Sequence, residues 1–389
     1  MCIAEAYLHK VGHAASGDRA VNFALFFVFT YLLIVPHELG HVLAAWLLRW
    51  DMFRITFGIG PCWMKWRIAG ILIRFRLIPD RGSVSALSFR QHNWRVCRFI
   101  FIAAGPLMNL AIAVLAIEFA GGWRQFIDDL FANTWSTLGV ASAFTFFVNL
   151  VPQTVWTHEG ASVSDGLQMA RLLFKPLPSE KIRRAVYYLA QGGALMANDD
   201  AEQALKVFSA AHIEYPEDPS IALSLSAALM KAGKVEEGRS LICRLLQLHT
   251  CEGPINATLR NNLAWADLLI GSPMLLAEAD EASTAALFFA PWEGCFQGTR
   301  GAVLAFIGKP DKALHLLRQA EKNAEQRSDR SALLCAMAIA EHRRGHQKVA
   351  AKLVDKARHF DPKCKLLSRA EEQLAGHPVA LAFSSVEFT

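Results

Sequence analysis

Residues 20–48 are an almost unbroken apolar run that carries a single formal charge, Glu38. A hydrocarbon core needs about 20 apolar residues in a helix, so this run is long enough to cross a bilayer with tilt or a bend. Pro36 removes a backbone donor within it and marks the expected bend. The same run contains His37-Glu38-Leu39-Gly40-His41. Three ionisable side chains are costly inside a membrane span, and they persist there when a partner or a function holds them.

On a helix, positions i and i+4 share a face, so His37 and His41 can approach one metal ion. Glu38 stands beside them as a group able to take a proton from water and pass it to a leaving amine. Catalytic zinc uses three protein ligands and keeps one position open. The downstream candidates for the third ligand are His158, Glu159 and Asp165, in the stretch NLVPQTVWTHEGASVSDGLQMARLL (149–173).

Two further apolar runs follow, at about 99–120 and 136–151, giving three expected spans. Ten basic residues against two acidic ones give residues 49–98 a net charge of +8, and the rest of the chain sums to −3. A basic block between spans belongs on the cytosolic side, near anionic lipid. No nucleic-acid motif accompanies it, so no nucleic-acid partner is expected. The N-terminus would then be external and the C-terminal half cytosolic. ILIRFRLI (71–78) alternates apolar and basic residues at strand period, and Asp80-Arg81-Gly82 after Pro79 signals a turn. A small sheet or hairpin at the membrane surface is expected over about 52–82. The eight cysteines are scattered without CxxC and read as reduced thiols.

Residues 180–375 read differently. LMKAGKVEEGRSLI, LLIGSPMLLAEADEA, AFIGKPDKALHLL and EHRRGHQKVAAKLV share a helix end, a glycine turn and a second helix. Their glycines, Gly233, Gly271, Gly308 and Gly345, are 38, 37 and 37 residues apart. A weaker copy is LMANDDAEQALKVF. Helical hairpins at such a period stack into a solenoid. They resemble tetratricopeptide repeats. The expected architecture is therefore all-α dominated: an N-terminal tail (1–19), a membrane core with a small β segment (20–175), a soluble helical solenoid (176–375) and a C-terminal tail (376–389).

Three elements together resemble the site-2 protease family of intramembrane zinc metalloproteases. They are HELGH, Gly105-Pro106-Leu107-Met108-Asn109 in the second span, and Asn149-Leu150-Val151-Pro152 followed by Ser164-Asp165-Gly166. FGIGP (57–61) and PDRG (79–82) resemble the family's β segment. The resemblance covers residues 20–175. It implies one Zn²⁺ per chain on His37, His41 and Asp165, Glu38 as general base, and Asn109 near the site, where an amide could steady the substrate carbonyl or oxyanion. It departs in one place: Asn149 and Asp165 are sixteen apart where many members keep about eight, and the inserted residues bring His158 as a competing ligand.

The implied activity is zinc-dependent endopeptidase cleavage in or near a transmembrane helix of a membrane-anchored protein, in a multi-pass protein of a bacterial inner membrane. The repeats would bind a cytosolic protein partner or gate the substrate. The alternative is an inactive membrane-anchored repeat scaffold with a structural metal site. His9, His13, His342 and His346 are expected at the surface. Glu118 is a buried functional carboxylate or an interface residue. Trp46, Trp50 and Trp123 fit an aromatic belt.

Overall fold

The computed structural model describes residues 19–88, 93–128, 130–131, 133–157, 160–248, 252–324 and 326–375. The chain divides into two units, Met1–Tyr187 and Tyr188–Thr389.

In the first unit, helix α1 spans Arg19–Leu47. It is interrupted at Leu33, one turn before Pro36, where the missing Pro N–H leaves the Leu32 carbonyl without its helical donor. The hairpin follows: β1 (Asp51–Ile68) and β2 (Ile71–Leu87). Then come α2 (Trp94–Phe119), α3 (Trp123–Asp128) and α4 (Thr134–Leu150). A short hairpin of β3 (Thr154–Thr157) and β4 (Gly160–Val163) leads into α5 (Asp165–Phe174).

α1 and α2 are inside out relative to a soluble helix. The buried face of α1 near its C-terminal end holds His37, Glu38, Gly40, His41, Ala44 and Ala45. Leu39, Leu43, Trp46 and Leu47 face outward, Trp46 at 66% exposure. α2 buries Gly105, Asn109, Ala113 and Ala116 and exposes Leu107, Leu115 and Phe119. Polar groups inside and large apolar ones outside match a lipid solvent.

Two described helices, not the three expected, have the length and hydropathy of a span: Arg19–Leu47 and Trp94–Phe119, with mean hydropathies of 1.8 and 2.3. The third candidate forms α4, whose 17 residues reach only about 26 Å at 1.5 Å per residue, short of a hydrocarbon core of about 30 Å. An Asn133–Ser136 capping box fixes its start.

β1 and β2 are long because each serves twice. Residues 51–57 pair with 82–87 on one side, 54–57 also pair with 72–75 on the other, and 62–68 pair with 71–76. The two strands thus build a mixed sheet of four segments, antiparallel at its two outer pairings and parallel where 54–57 meets 72–75. The tight turn is Ala69-Gly70, both at positive φ, as a two-residue hairpin needs. The turn expected at Asp80-Arg81-Gly82 is instead continuous strand, in which the chain changes partners. β1 bends at Gly58 and Gly60, both at positive φ.

The second unit is a stack of helical hairpins, prefaced by α6 (Glu180–Ala197), which begins in the first unit. α7 (Ala201–Glu214) is followed by α8 (Pro219–Lys231) and α9 (Val235–Gln247). Next are α10 (Gly253–Ile270), α11 (Pro273–Phe289), α12 (Gly294–Phe306) and α13 (Pro310–Asn323). α14 (Arg327–Arg343), α15 (Gln347–Phe360) and α16 (Lys365–Leu374) close the stack. Gly233, Gly271, Gly308 and Gly345 all stand at positive φ in the turns the repeat pattern placed them in. In the weaker first copy, Asp199 takes that position at φ 59°, which is why no glycine marks it. The core between helices is largely alanine and leucine, with Ala204, Ala264, Ala305, Leu317 and Ala338 fully buried.

Candidate metal centre

Three atoms converge. His37 Nε2 lies 3.0 Å from Asp165 Oδ2 and 3.3 Å from His41 Nε2, and His41 Nε2 lies 3.6 Å from the same oxygen. Tetrahedral zinc with bonds of about 2.0–2.2 Å holds its ligand atoms about 3.3 Å apart. The triangle formed by these side chains has that size, so the donor set and the spacing both fit zinc. Among the described residues this is the one cluster of three such groups.

Helix packing builds the triangle. At Gly40, α1 crosses α2, where a Cβ would strike the Ala104 carbonyl. The crossing carries Gly105 onto the imidazoles: a Cβ there would sit 2.7 Å from His37 Nε2 and nearer still to His41 Nε2. Gly105 therefore keeps clear the space beside the ring nitrogens. Gly105→Ala should lower zinc affinity by about 10–100-fold, the usual cost of disturbing a ligand's support. Zinc per purified chain measures this, with unchanged helical circular dichroism as the control; full zinc content would remove this role from Gly105.

Asp165 arrives from 128 residues away. Ser164 caps α5, accepting from Leu167 N at 3.2 Å and donating to the Val151 carbonyl at 2.7 Å. Asp165 occupies the first turn, where a carboxylate suits the helix dipole. Gly166 lets α5 press against Leu150 at the end of α4, since a Cβ there would overlap the Leu150 carbonyl. Burial pushes the Asp165 carboxyl up, but hydrogen bonds and charge from His37 and His41 outweigh it and hold the pKa at about 2. The group is thus ionised at neutral pH, as a carboxylate must be to hold a metal.

The outer nitrogens are also held. His41 Nδ1 lies 2.8 Å from the Phe101 carbonyl. A carbonyl only accepts, so Nδ1 carries the proton and Nε2 keeps its lone pair for a metal. His37 Nδ1 lies 3.2 Å from the Asn109 amide. The amide's oxygen is buried without a partner while its nitrogen faces the imidazole. Rotation about the Cβ–Cγ bond exchanges the two ends of an asparagine amide. Turning it lets Oδ1 accept from His37 Nδ1–H, the tautomer a metal on Nε2 requires. Asn109 therefore touches a ligand-bearing ring, a contact that its position in GPLMN did not reveal.

Glu38 is 4% exposed, and its Oε2 has no hydrogen-bond partner. Gly82 of β2 packs against its carboxyl so closely that a Cβ would overlap it. His37, Glu38, His41, Asn109 and Asp165 all line one cavity of about 580 Å³, together with Arg81–Val84 of β2, Arg98 and Asn149. Trp50 is not part of an aromatic belt. It is 4% exposed and stacks on Phe101 at 5.1 Å, and Phe101 in turn packs against His41. Trp46 and Trp123 are exposed, as is Glu118. His346 is exposed and pairs with Glu341 at 2.7 Å; His342 is half-buried. His9, His13, His158 and Glu159 lie outside the described residues.

Residues 25–123 match Peptidase family M50. This independent match spans HELGH and GPLMN, two of the three elements on which the site-2 protease resemblance rests, and about a quarter of the chain. A Chlamydia pneumoniae protein bearing a zinc metalloprotease name is 28% identical over 110 residues, 22% of this chain and 17% of the relative. A similarly named protein of Chlamydia trachomatis serovar D is 28% identical over 116 residues, 23% of this chain and 18% of the relative. The chain thus spans less than a fifth of the length of these curated relatives. Among solved structures, the second half is similar to TTC0263, a thermophilic TPR protein of Thermus thermophilus, at 24% identity and a TM-score of 0.37, covering 49% of this chain and 99% of that one. It is also similar to YrrB, a TPR protein with an unusual peptide-binding site, at 16% identity and a TM-score of 0.30, covering 48% and 92%.

Proposed function

We propose that the chain is a zinc-dependent intramembrane endopeptidase that hydrolyses a peptide bond in or near a transmembrane helix of a membrane-anchored protein. The observation that carries this reading is the convergence of His37, His41 and Asp165 at zinc-ligand spacing beside a buried, half-unpartnered Glu38, on a helix of membrane length.

Zinc, when bound, supplies electrophilic polarisation of the scissile carbonyl and acidifies water. The chain's own residues supply the rest. Glu38 accepts a proton from water and returns it to the leaving amine. Asn109 and the Phe101 carbonyl hold the two imidazoles in the tautomer that presents Nε2. The apolar outer faces of α1 and α2 keep the site within lipid, and the polar cavity admits water. A substrate helix has satisfied its own backbone hydrogen bonds, so it must unwind locally before a carbonyl reaches the site. An inactive scaffold with a structural metal site gives no reason for Glu38: burying a carboxylate oxygen without a partner costs stability, and a site that only holds the fold gains nothing from that carboxylate. The repeats are the part of the chain suited to a protein partner or to gating substrate.

The purified chain, placed in proteoliposomes with a single-span substrate, should cut within or beside the span. Cleavage should stop on chelation and return with zinc. Mass spectrometry locates the cut. Products confined to soluble substrate loops, or cleavage that survives metal removal, would defeat the proposal.

A further inference from the structure

The solenoid is electrically lopsided. Residues 188–305 hold fourteen acidic and seven basic side chains, and residues 306–375 hold fifteen basic and nine acidic. The excess positive charge has a defined place. α13 and α15 both pack on α14 and are linked to each other by an ion pair, Lys356 to Glu321 at 3.7 Å. Their outward faces carry Lys312, Lys322, Lys348 and Lys352, all exposed. The acidic residues of these two helices are each paired: Asp311 to Arg344 at 3.1 Å, Asp355 to Arg358 at 2.7 Å, and Glu321 to Lys356.

A second feature borders the same face. Leu287 at the end of α11 shares a cleft with His315 and Leu316 of α13. Directly after Leu287 come Phe288 at 90% exposure, Phe289 at 47% and Trp292 at 67%. Three exposed aromatic side chains in five residues are unfavourable facing water alone.

We propose that this face of the repeats docks on an anionic phospholipid surface, with the lysines of α13 and α15 over the headgroups and Phe288, Phe289 and Trp292 at the interface. Charge complementarity alone would also admit an acidic protein. The aromatic rim decides for lipid, because Trp and Phe beside basic side chains are the composition of an interfacial anchor. Two helices of membrane length on the same chain keep a bilayer within reach. The proposal is independent of the metal site.

The test uses the full chain in nanodiscs of phosphatidylcholine alone or of a three-to-one mixture with phosphatidylglycerol. Lysine acylation is read residue by residue by mass spectrometry. Lys312, Lys322, Lys348 and Lys352 should be labelled more slowly in the mixed discs, while Lys206 on the acidic half is labelled equally in both. High salt should erase the difference. The double variant Lys348→Glu/Lys352→Glu should return Lys312 and Lys322 to the rate seen in phosphatidylcholine, as each basic contact with an anionic surface is worth about fivefold in partition. Phe288→Ser/Trp292→Ser should weaken protection at the same four lysines. Equal labelling in both discs would overturn the proposal, as would protection that ignores the charge reversal. Protection arising only after an acidic soluble protein is added would overturn it in favour of a protein partner.

Discussion

Glu38→Gln should leave a folded chain that binds zinc at the wild-type level and no longer cleaves a membrane-spanning substrate. Gln keeps the shape of the side chain, so the close packing against Gly82 survives. Glu38 is not one of the three side chains whose ligand atoms converge, so the metal site keeps its donors. What is lost is a carboxylate able to hold a proton between water and the leaving amine. General acid–base catalysis is worth about 10²–10⁴-fold, and both halves of the transfer run through this group, so the upper end of that range is expected. Zinc per chain and single-turnover cleavage are measured on the same preparation. A Gln variant that cleaves at the wild-type rate would remove Glu38 from the reaction; one that loses zinc as well would make it a structural part of the site.

Asp165→Ala should empty the site. Among the described residues, the Asp165 carboxylate is the one acidic partner shared by both imidazoles, at 3.0 and 3.6 Å. Its removal leaves two neutral nitrogens, where catalytic zinc sites use three protein ligands. Disturbing a ligand's support alone costs about 10–100-fold in affinity, so deleting a ligand should cost more than about 100-fold. Because a metal held by the native state stabilises it by mass action, zinc should raise the melting temperature of the wild type and leave the variant unmoved. Zinc retained in Asp165→Ala, with the melting shift intact, would transfer the third position to another donor. His158 in the inserted stretch would be the first to replace next.

How much of this was legible beforehand differs from element to element. HELGH is a local pattern: 3.6 residues per turn puts His37 and His41 on one face wherever the helix forms. The repeat turns are equally local, because a left-handed backbone position favours glycine and the spacing between glycines follows helix length. Span counting was less secure. α4 has the composition of a span, and only its capped start and 17-residue length show that it falls short. Trp50 read as an interfacial residue because a sequence does not say which way a side chain at a helix end turns; stacking on Phe101 turned it inward. Asn109 was expected near the site, and it lines the same cavity with its amide against His37, a contact that GPLMN alone does not specify.

The sequence by itself determined the chemistry on offer, two imidazoles and a carboxylate on one turn of an apolar helix, and the helical hairpins that follow. These depend on neighbours within a few residues, and backbone periodicity fixes them. Only the tertiary structure decided that Asp165 closes the triangle, that Gly40 and Gly105 open the space for it, and that Gly82 backs Glu38. Each of those contacts joins residues more than forty positions apart. They depend on where one helix or strand crosses another, and that is set by mutual packing of side chains, for which the chain carries no local pattern.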